Sequence, residues 1–551
     1  MNGAQILLAC LREQGVDTVF GYPGGAVIPL YDALYDEKNI KHIRTAHEQG
    51  AVHAADGYAR STGRVGVCFA TSGPGATNTI TGIATAFMDS VPMVVITGQV
   101  SVPLLGKDSF QEIDITGITL SVTKHNYLVR NVNQLADVVR DAFRVAGSGR
   151  PGPVLIDVPK NVFMEEGSYE EKEPVIPSDG KQNYTDEKLI EAAELINRSS
   201  KPVIYAGGGV KIADAARELL AFAQKADIPV VNTLMALGTM PCHSELRLGM
   251  VGMHGFRENN LAVSNSDLVI AIGARFSDRV ISKAENFAAK AKIVHIDTDA
   301  TEIGKNIRVD ISLLGNMKKI LTKLTAGIDK KDNSDWKNRI KAWRKPEETN
   351  EEIFYPQNIL DSICEKFGPD SFVTTDVGQH QMWTAQYWKF NFPRAFITSG
   401  GLGTMGFGMG AAIGAKLGNM DKPVVLITGD GSYRMNCNEL ATVARYELPL
   451  VIVLMNNHTL GMVRQWQKMF SGKRYSETDV DDKLDYVKLA EAYGIEGHRA
   501  ATMEELRSVL VNCEFGKKPV FIECRMGKDE NVYPIVPPGK AIVESIEYFE
   551  E

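Results

Sequence analysis

The chain has 551 residues, 44% hydrophobic and 23% charged, with a formal net charge of −8. That length suits roughly three or four domains with cores of their own, and an acidic balance without a concentrated basic tract excludes a general nucleic-acid binder. Seven cysteines (10, 68, 242, 364, 437, 513, 524) lie scattered with no CxxC pair, which excludes a disulfide framework or a cysteine zinc site and fits a reducing compartment. No apolar run approaches a membrane span. An amphipathic helix already occupies 4–14, so a cytoplasmic enzyme without signal or transit peptide is expected.

Residues 1–165 alternate β-rich and helical segments, the pattern of a parallel sheet. Strands are predicted at 18–21, 65–70, 92–97 and 154–158, the first two running into the turns Tyr22-Pro23-Gly24-Gly25 and Thr71-Ser72-Gly73-Pro74-Gly75. Such glycines permit close approach of a ligand to the backbone, although most are simply structural. Glu48 precedes a helix of small residues reaching Tyr58. A lone glutamate is ordinarily a solvated surface charge.

Residues 165–185 are charged and rich in Pro, Gly and Ser, and read as an exposed linker. A second α/β block spans 186–328, with strands ending in Gly207-Gly208-Gly209, before Gly273-Ala274-Arg275, and at Asp297. The triple glycine is not a GxGxxG fingerprint. An arginine and a carboxylate at successive strand ends are compatible with a nucleotide's phosphate and ribose, and a purely structural domain is nearly as well supported. Residues 326–356 form a charged, partly helical connector, and a third α/β block runs from 355 to 551. In it a strand runs through SFVTTDVG into Gln379-His380, and a glycine-punctuated helix follows GLGTMG. The segment 519–526 is expected to close the sheet.

The chain is organised around 424–466. A buried strand (424–428), a turn at Gly429-Asp430-Gly431, a helix near 438–446 and a second buried strand (450–455) ending in Asn456-Asn457 are expected. Parallel strands joined by one helix end on the same sheet edge, so Asp430 and Asn457 should meet there. A carboxylate and an amide carbonyl are hard oxygens suited to Mg²⁺, which leaves its other positions to phosphate and water. GDG alone is common. GDG followed, after twenty-five residues, by an asparagine ending an apolar strand is specific, and it resembles the signature of thiamine-diphosphate (ThDP) enzymes.

Nearly the whole chain resembles the catalytic subunit of the acetohydroxyacid (acetolactate) synthase family. The resemblance is carried by VFGYPGGAVIPLYDAL, RTAHEQGAVHAADGYAR, TSGPGATN, HNYLV, ARFSDRV, TTDVGQHQMWTAQ, GLGTMGFG, GDGSYRMNCNEL and NNHTLGMVRQWQ. It implies three α/β domains, each a parallel sheet flanked by helices: pyrimidine-binding (1–165), FAD-binding (186–328) and diphosphate/Mg²⁺-binding (355–551).

It implies that Glu48 meets the cofactor's aminopyrimidine, where a carboxylic acid favours the imino tautomer that removes the thiazolium proton. Pro74, Asn78, Gly403 and Met405 would border that ring. Val377, Gly378, Gln379, His380, Gly429, Asp430, Gly431 and Ser432 would surround the diphosphate. Asp430, Asn457 and the Thr459 carbonyl would hold Mg²⁺. Arg150, Gly207, Gly208, Gly209, Thr233, Leu234, Met253, His254, Gly273, Ala274, Arg275, Arg279 and Asp297 fall on FAD-contacting positions. Gly25, Phe110, Gln111 and Lys124 match residues near the reacting centre, and Met462, Val463 and Trp466 match the acceptor pocket.

Pyruvate and 2-oxobutanoate are the implied substrates. A homodimer or tetramer is expected, with Glu48 of one subunit facing Asp430 and Asn457 of another, together with a small regulatory subunit. Nucleic-acid and membrane partners are not expected. A ThDP- and FAD-dependent pyruvate oxidase and a non-catalytic nucleotide-binding regulator are the alternatives. Three departures stand out. Met409-Gly410 replaces the usual Leu-Pro and is expected to alter only the start of a helix. Asn316 stands where Asp is frequent, removing a carboxylate near the FAD-contacting positions. Ser277 stands where many members carry Asp.

Overall fold

A computed structural model describes residues 1–180, 182–344, 350–480 and 483–548. Residues 345–349 of the expected connector lie outside the described residues, and its helical part is Ser334–Ala342. Three six-stranded sheets succeed one another along the chain, every strand pair parallel. Strands such as Met93–Gln99, Pro153–Pro159 and Leu268–Ile272 are buried along their whole length. Parallel strands covered by helices on both faces read as continuous apolar runs, which is why these were legible.

With strands counted in chain order within each sheet, the first and third sheets share the order 2-1-3-4-6-5. The central sheet is different, 6-5-4-1-2-3, the order of doubly wound dinucleotide-binding sheets.

Four strands have no counterpart among the predicted ones: Lys41–Arg44, His125–Leu128, Arg247–Met250 and Glu496–Ala500. All four lie at sheet edges, where polar, half-exposed residues suppress the apolar signal. This corrects the expectation for 519–526. Val520–Arg525 is an interior strand between Val451–Asn456 and Glu496–Ala500, and the latter forms the edge.

The first and third domains are joined by two helices, Glu48–Thr62 and Phe407–Gly418, whose residues share one apolar core. Their backbones almost touch. A Cβ on Gly57 would lie 2.1 Å from the Ala411 carbonyl oxygen, and one on Gly414 would lie 1.8 Å from that of Ala54. A Cβ on Gly410 would stand 2.7 Å from the His53 Cβ. The Met409-Gly410 departure therefore shapes this contact as well as the start of a helix.

Beside it runs a buried charge network. Arg60 pairs with Asp56 and Asp89 and donates to the Thr398 carbonyl at 2.9 Å. Asp89 in turn accepts from the amides of Gly400 (3.0 Å) and Gly401 (2.7 Å). Breaking a buried pair strands its partner, so this network tightly constrains the relation of the two domains.

Gly414→Ala should destabilise the protein by about 1–3 kcal/mol, because the new methyl meets backbone that cannot move aside. Gly327→Ala, whose Cβ would meet only Ala193 Cβ at 3.7 Å, should be neutral or stabilising. Urea unfolding of both variants checks this, and equal midpoints would remove the packing argument.

Candidate active site

In the first domain the site forms around Thr71, at the carboxyl end of the strand Gly66–Ala70. Its Oγ1 accepts from the Ala26 amide at 3.2 Å, and a Cβ on Gly24 would sit 2.4 Å from its Cγ2. Glu48 is the first residue of the Glu48–Thr62 helix and is half-buried. Its Oε2 accepts from Asn78 Nδ2 at 3.0 Å, and a Cβ on Gly75 would approach its Oε1 at 3.3 Å. Pro74 opens the Pro74–Asn78 helix.

Gln111, held at φ +59°, lies against Gly73, whose added Cβ would come within 3.0 Å of the Gln111 Cα. A side chain at Gly25 would meet open space, and Phe110 beside Gln111 is 88% exposed. Glu48, Pro74, Asn78 and Gln111 thus gather with the Gly24-Gly25 turn. Lys124 is held elsewhere. Its Nζ donates to the carbonyls of Val145 (2.5 Å) and Ser148 (2.7 Å), and burial lowers its pKa to about 8.

In the third domain the strand Val424–Gly429 runs without a turn into the helix Asp430–Asn436. The expected turn is absent because Gly429, in extended backbone, is itself the helix N-cap. The expected helix 438–446 is instead a 3₁₀ turn, Cys437–Glu439, followed by Leu440–Arg445. Val424–Gly429 pairs in parallel with Val451–Asn456, Gly429 opposite Met455, so Asp430 and Asn457 emerge at the same edge.

His458, at φ +55°, bends the chain so that the Thr459 amide donates to the Asp430 carboxylate. Asn457 Nδ2 donates to Gln379 Oε1 at 3.0 Å, and Gln379 Nε2 donates to Gln465 Oε1 at 3.1 Å and to the Glu530 carbonyl at 2.8 Å. Ser432 Oγ donates to the Val377 carbonyl at 2.8 Å. Gly431 lies beneath Leu460 and near Met405 Cε, which would be 2.4 and 3.6 Å from an added Cβ.

Two features of this cluster fit a cation and an anion. Asp430 is 2% exposed, its Oδ2 has no hydrogen-bond partner, and burial pushes its pKa up to about 7. A carboxylate removed from water without a compensating charge is costly, and Asn457, leaving the neighbouring strand at the same edge, offers an amide oxygen that would make a hard-oxygen pair suited to Mg²⁺. His380 packs on Gly378 and Gly429 with its Nε2 unpartnered, and burial lowers its pKa to about 3. Its imidazole is therefore neutral at physiological pH.

A cavity of about 1440 Å³ opens at the carboxyl ends of the central sheet. Every residue expected to contact FAD lines it, from Arg150 through the three glycines 207–209 to Asp297. The first and fourth strands of the sheet lie side by side here, at the switch point where such folds bind nucleotides. Gly207 and Gly273 follow those strands so closely that a Cβ on Gly207 would stand 2.0 Å from the Gly273 carbonyl oxygen. Side chains are thereby kept out of the cradle.

Arg150 donates to Ser90 Oγ (2.7 Å) and Glu302 Oε1 (2.8 Å), and Arg275 to the Met88 carbonyl (2.9 Å). Asp297 Oδ1 accepts from the amides of Thr298 and Asp299. The carboxylate missing at Asn316 is supplied by the linker, since Asp179, 2.9 Å from Asn316 Nδ2, lines the same cavity. The cavity continues into the third domain past Val377, Gly378, Gly403 and Met405 to Met462, Val463 and Trp466 on the Gly461–Phe470 helix.

Glu48, Asp430 and Asn457 do not line this cavity. Among the described residues, no hydrogen bond or ion pair joins Glu48 to either of the other two. Thr71, Gln465 and Asp376 are site-building residues that the sequence reading missed. Asp376, fully buried, accepts from the Gly408 amide (2.8 Å) and Thr428 Oγ1 (2.7 Å). Only the position of Asp376 just after a predicted strand could have flagged it.

Residues 1–118, 189–324 and 376–524 match, in turn, the N-terminal TPP-binding, central and C-terminal TPP-binding domains of thiamine pyrophosphate enzymes. Fold and site together define a member of that enzyme class. The chain is 46% identical to the acetolactate synthase large subunit of Parasynechococcus marenigrum, covering 99% of this chain and 91% of that protein. It is 44% identical to the acetolactate synthase isozyme 2 large subunit of Escherichia coli, covering 99% and 100%. With the probable acetolactate synthase large subunit of Methanocaldococcus jannaschii it shares 44% identity over 99% and 95%. The chain belongs to the acetolactate synthase large-subunit family. Among the described residues, no helix is long and apolar enough to cross a membrane.

The Asp430 shift makes a signed prediction. Without a cation the folded state keeps its proton up to about pH 7 while the unfolded state loses it near 3.8, the ordinary value for an aspartate. Stability should therefore fall as pH rises through that window. A cation bound at Asp430 would have to displace this proton below about pH 7, so its affinity should drop by nearly tenfold per pH unit there. Calorimetric titration of Mg²⁺ with ThDP, in buffers of different ionisation heat, would detect the released proton. Asp430→Asn should abolish both the proton release and the pH dependence, and a flat profile in the unsubstituted protein would count against a cation at Asp430.

Proposed function

We propose that this acetolactate synthase decarboxylates pyruvate and ligates the two-carbon unit to a second 2-oxoacid. The products are 2-acetolactate from pyruvate and 2-aceto-2-hydroxybutanoate from 2-oxobutanoate. The observation that carries this reading is the pair of half-sites: Glu48 held by Asn78, and the unpartnered Asp430 oxygen at the strand edge it shares with Asn457. When bound, ThDP supplies the electron sink for loss of CO₂.

The chain's residues orient the cofactor and manage protons around it. Glu48 holds the proton at the aminopyrimidine N1′, and Asn78 fixes its carboxylate. Asp430, Asn457 and the Thr459 carbonyl hold Mg²⁺, while Gln379 and neutral His380 face the diphosphate. Met405 props the thiazolium side from below. Gly25, Gln111 and Phe110 border the reacting carbon. Met462, Val463 and Trp466 form the acceptor wall, where the indole favours the larger 2-oxobutanoate. Lys124 joins the reacting centre only if its side chain leaves the carbonyls that hold it.

The central cavity takes FAD in a structural role, and its glycine cradle and switch-point location support this. The functional domains are 1–165, 186–328 and 355–551. The active site is completed across a homodimer, or within a tetramer built from it. The lack of a hydrogen bond between Glu48 and Asp430 among the described residues supports that assembly, as does the exposure of Phe110 (88%) next to Gln111. The relatives are named as large subunits, which supports a small regulatory partner.

Glu48→Gln should retain cofactor binding while losing about 100- to 10,000-fold in turnover. Near-normal activity would end the assignment of Glu48. With equal pyruvate and 2-oxobutanoate, the acetohydroxybutanoate product should exceed acetolactate, and Trp466→Leu should erase that excess. Acetate formation with flavin bleaching under anaerobic pyruvate would instead identify an oxidase.

A further inference from the structure

The segment leading into Glu48 is gripped by the third domain of the same chain. Glu439 ends the 3₁₀ turn Cys437–Glu439 and has no solvent exposure. Both of its carboxylate oxygens accept from the Ala46 amide at 3.1 Å, and its Oε1 also accepts from the His47 amide at 3.0 Å. Thr442 Oγ1 donates to its Oε2 at 2.5 Å. Ala46 and His47 immediately precede Glu48, and His47 is the N-cap of the helix that Glu48 opens.

Amides at a helix start have no partner within the helix, and a negative charge there is favoured. Gly50 leaves room for this arrangement, because a Cβ on it would fall 2.1 Å from Glu439 Oε1. A second hold lies close by, where the Arg44 amide donates to Tyr446 Oη at 2.9 Å. The carboxylate stays buried although burial raises its pKa, and the amides and the threonine hydroxyl that it accepts from pull that pKa down.

We infer that Glu439 is a positioning residue: by holding the Ala46 and His47 amides it sets where the Glu48 backbone stands relative to the cofactor ring. The Asn78 contact orients the Glu48 side chain, and Glu439 locates the helix start that carries it. Asp430 and Glu439 are nine positions apart, Asp430 opening the helix Asp430–Asn436 and Glu439 ending the 3₁₀ turn that follows it. This inference rests on the role of Glu48 proposed above.

The test is a double-mutant cycle with Glu439→Gln and Glu48→Gln in the full chain loaded with ThDP, Mg²⁺ and FAD. It is joined by hydrogen–deuterium exchange of peptides covering 44–50 in the cofactor-free protein. An amide in place of the carboxylate keeps one accepting oxygen but loses the second and the negative charge, which weakens the hold on the two N–H groups. Exchange at Ala46 and His47 should therefore quicken. Turnover should fall by about 10- to 100-fold, as for a displacement of about 1 Å at a reacting group.

If Glu439 acts through Glu48, the same substitution should cost less than about twofold in the Glu48→Gln background, since residues acting as a unit are not additive. An equal loss in both backgrounds, or faster exchange with unchanged turnover, overturns the inference and leaves the role of Glu48 intact. Normal turnover in Glu48→Gln alone overturns the underlying reading instead. If Glu439→Gln does not fold by circular dichroism, Thr442→Val removes one donor from the same carboxylate. It should then produce a smaller loss that is likewise confined to the Glu48 background, and a loss equal in both backgrounds would again refute the inference.

Discussion

The backbone contact between the helices Glu48–Thr62 and Phe407–Gly418 is the constraint on which the rest of the molecule depends. Helices normally pack with 8–10 Å between their axes because side chains keep them apart. Here Gly57, Gly410 and Gly414 allow a carbonyl of one helix to occupy the space of a side chain on the other. One of these helices begins with Glu48, and the other directly follows the Gly403–Gly406 loop that carries Met405. Locking them together fixes two elements of the cofactor site to one core.

Around that contact, burial makes each polar group depend on a partner. Arg60 is satisfied by two aspartates and a carbonyl, and Asp376 by an amide and a hydroxyl. Both ring nitrogens of His53 at the helix contact and the Tyr433 hydroxyl depart from this rule, and so do Asp430 Oδ2 and His380 Nε2. Asp430 and His380 sit at the carboxyl end of the sheet, where the chemistry calls for a cation and a phosphate. Desolvation works on them in opposite senses. It holds the proton on the carboxyl and keeps the imidazole neutral.

The first and third domains share a strand order but divide the labour. In the proposed reading the first presents a glutamate and an amide for an aromatic base, and the third presents oxygen ligands and glycines for a charged diphosphate. The central domain, with its different strand order, places its glycines where two strands diverge. Its cavity runs on to the Gly461–Phe470 helix of the third domain. The linker is more than a connector, because Asp179 offers the cavity a carboxylate beside Asn316.

Much of this was legible in the sequence. Asp430, Asn457, Gly207 and Gly273 each follow a buried apolar strand, and the ends of parallel strands are shared edges whatever the rest of the chain does. Residue chemistry and local periodicity therefore sufficed for the three sheets and for the meeting of Asp430 and Asn457 at one edge, while the class of cofactor and the residues around the central cavity came from the family resemblance. Four of the six edge strands escaped because half-exposed polar segments carry no apolar period.

Other features belonged to tertiary structure alone. The helix beginning at Asp430 itself, the tethering of Lys124 to two carbonyls, and Asp179 beside Asn316 are examples. The grip of Glu439 on a segment 393 positions earlier is the clearest one. Such partners are chosen by how whole domains pack, and nothing in the neighbouring residues encodes which distant amide will meet a buried carboxylate.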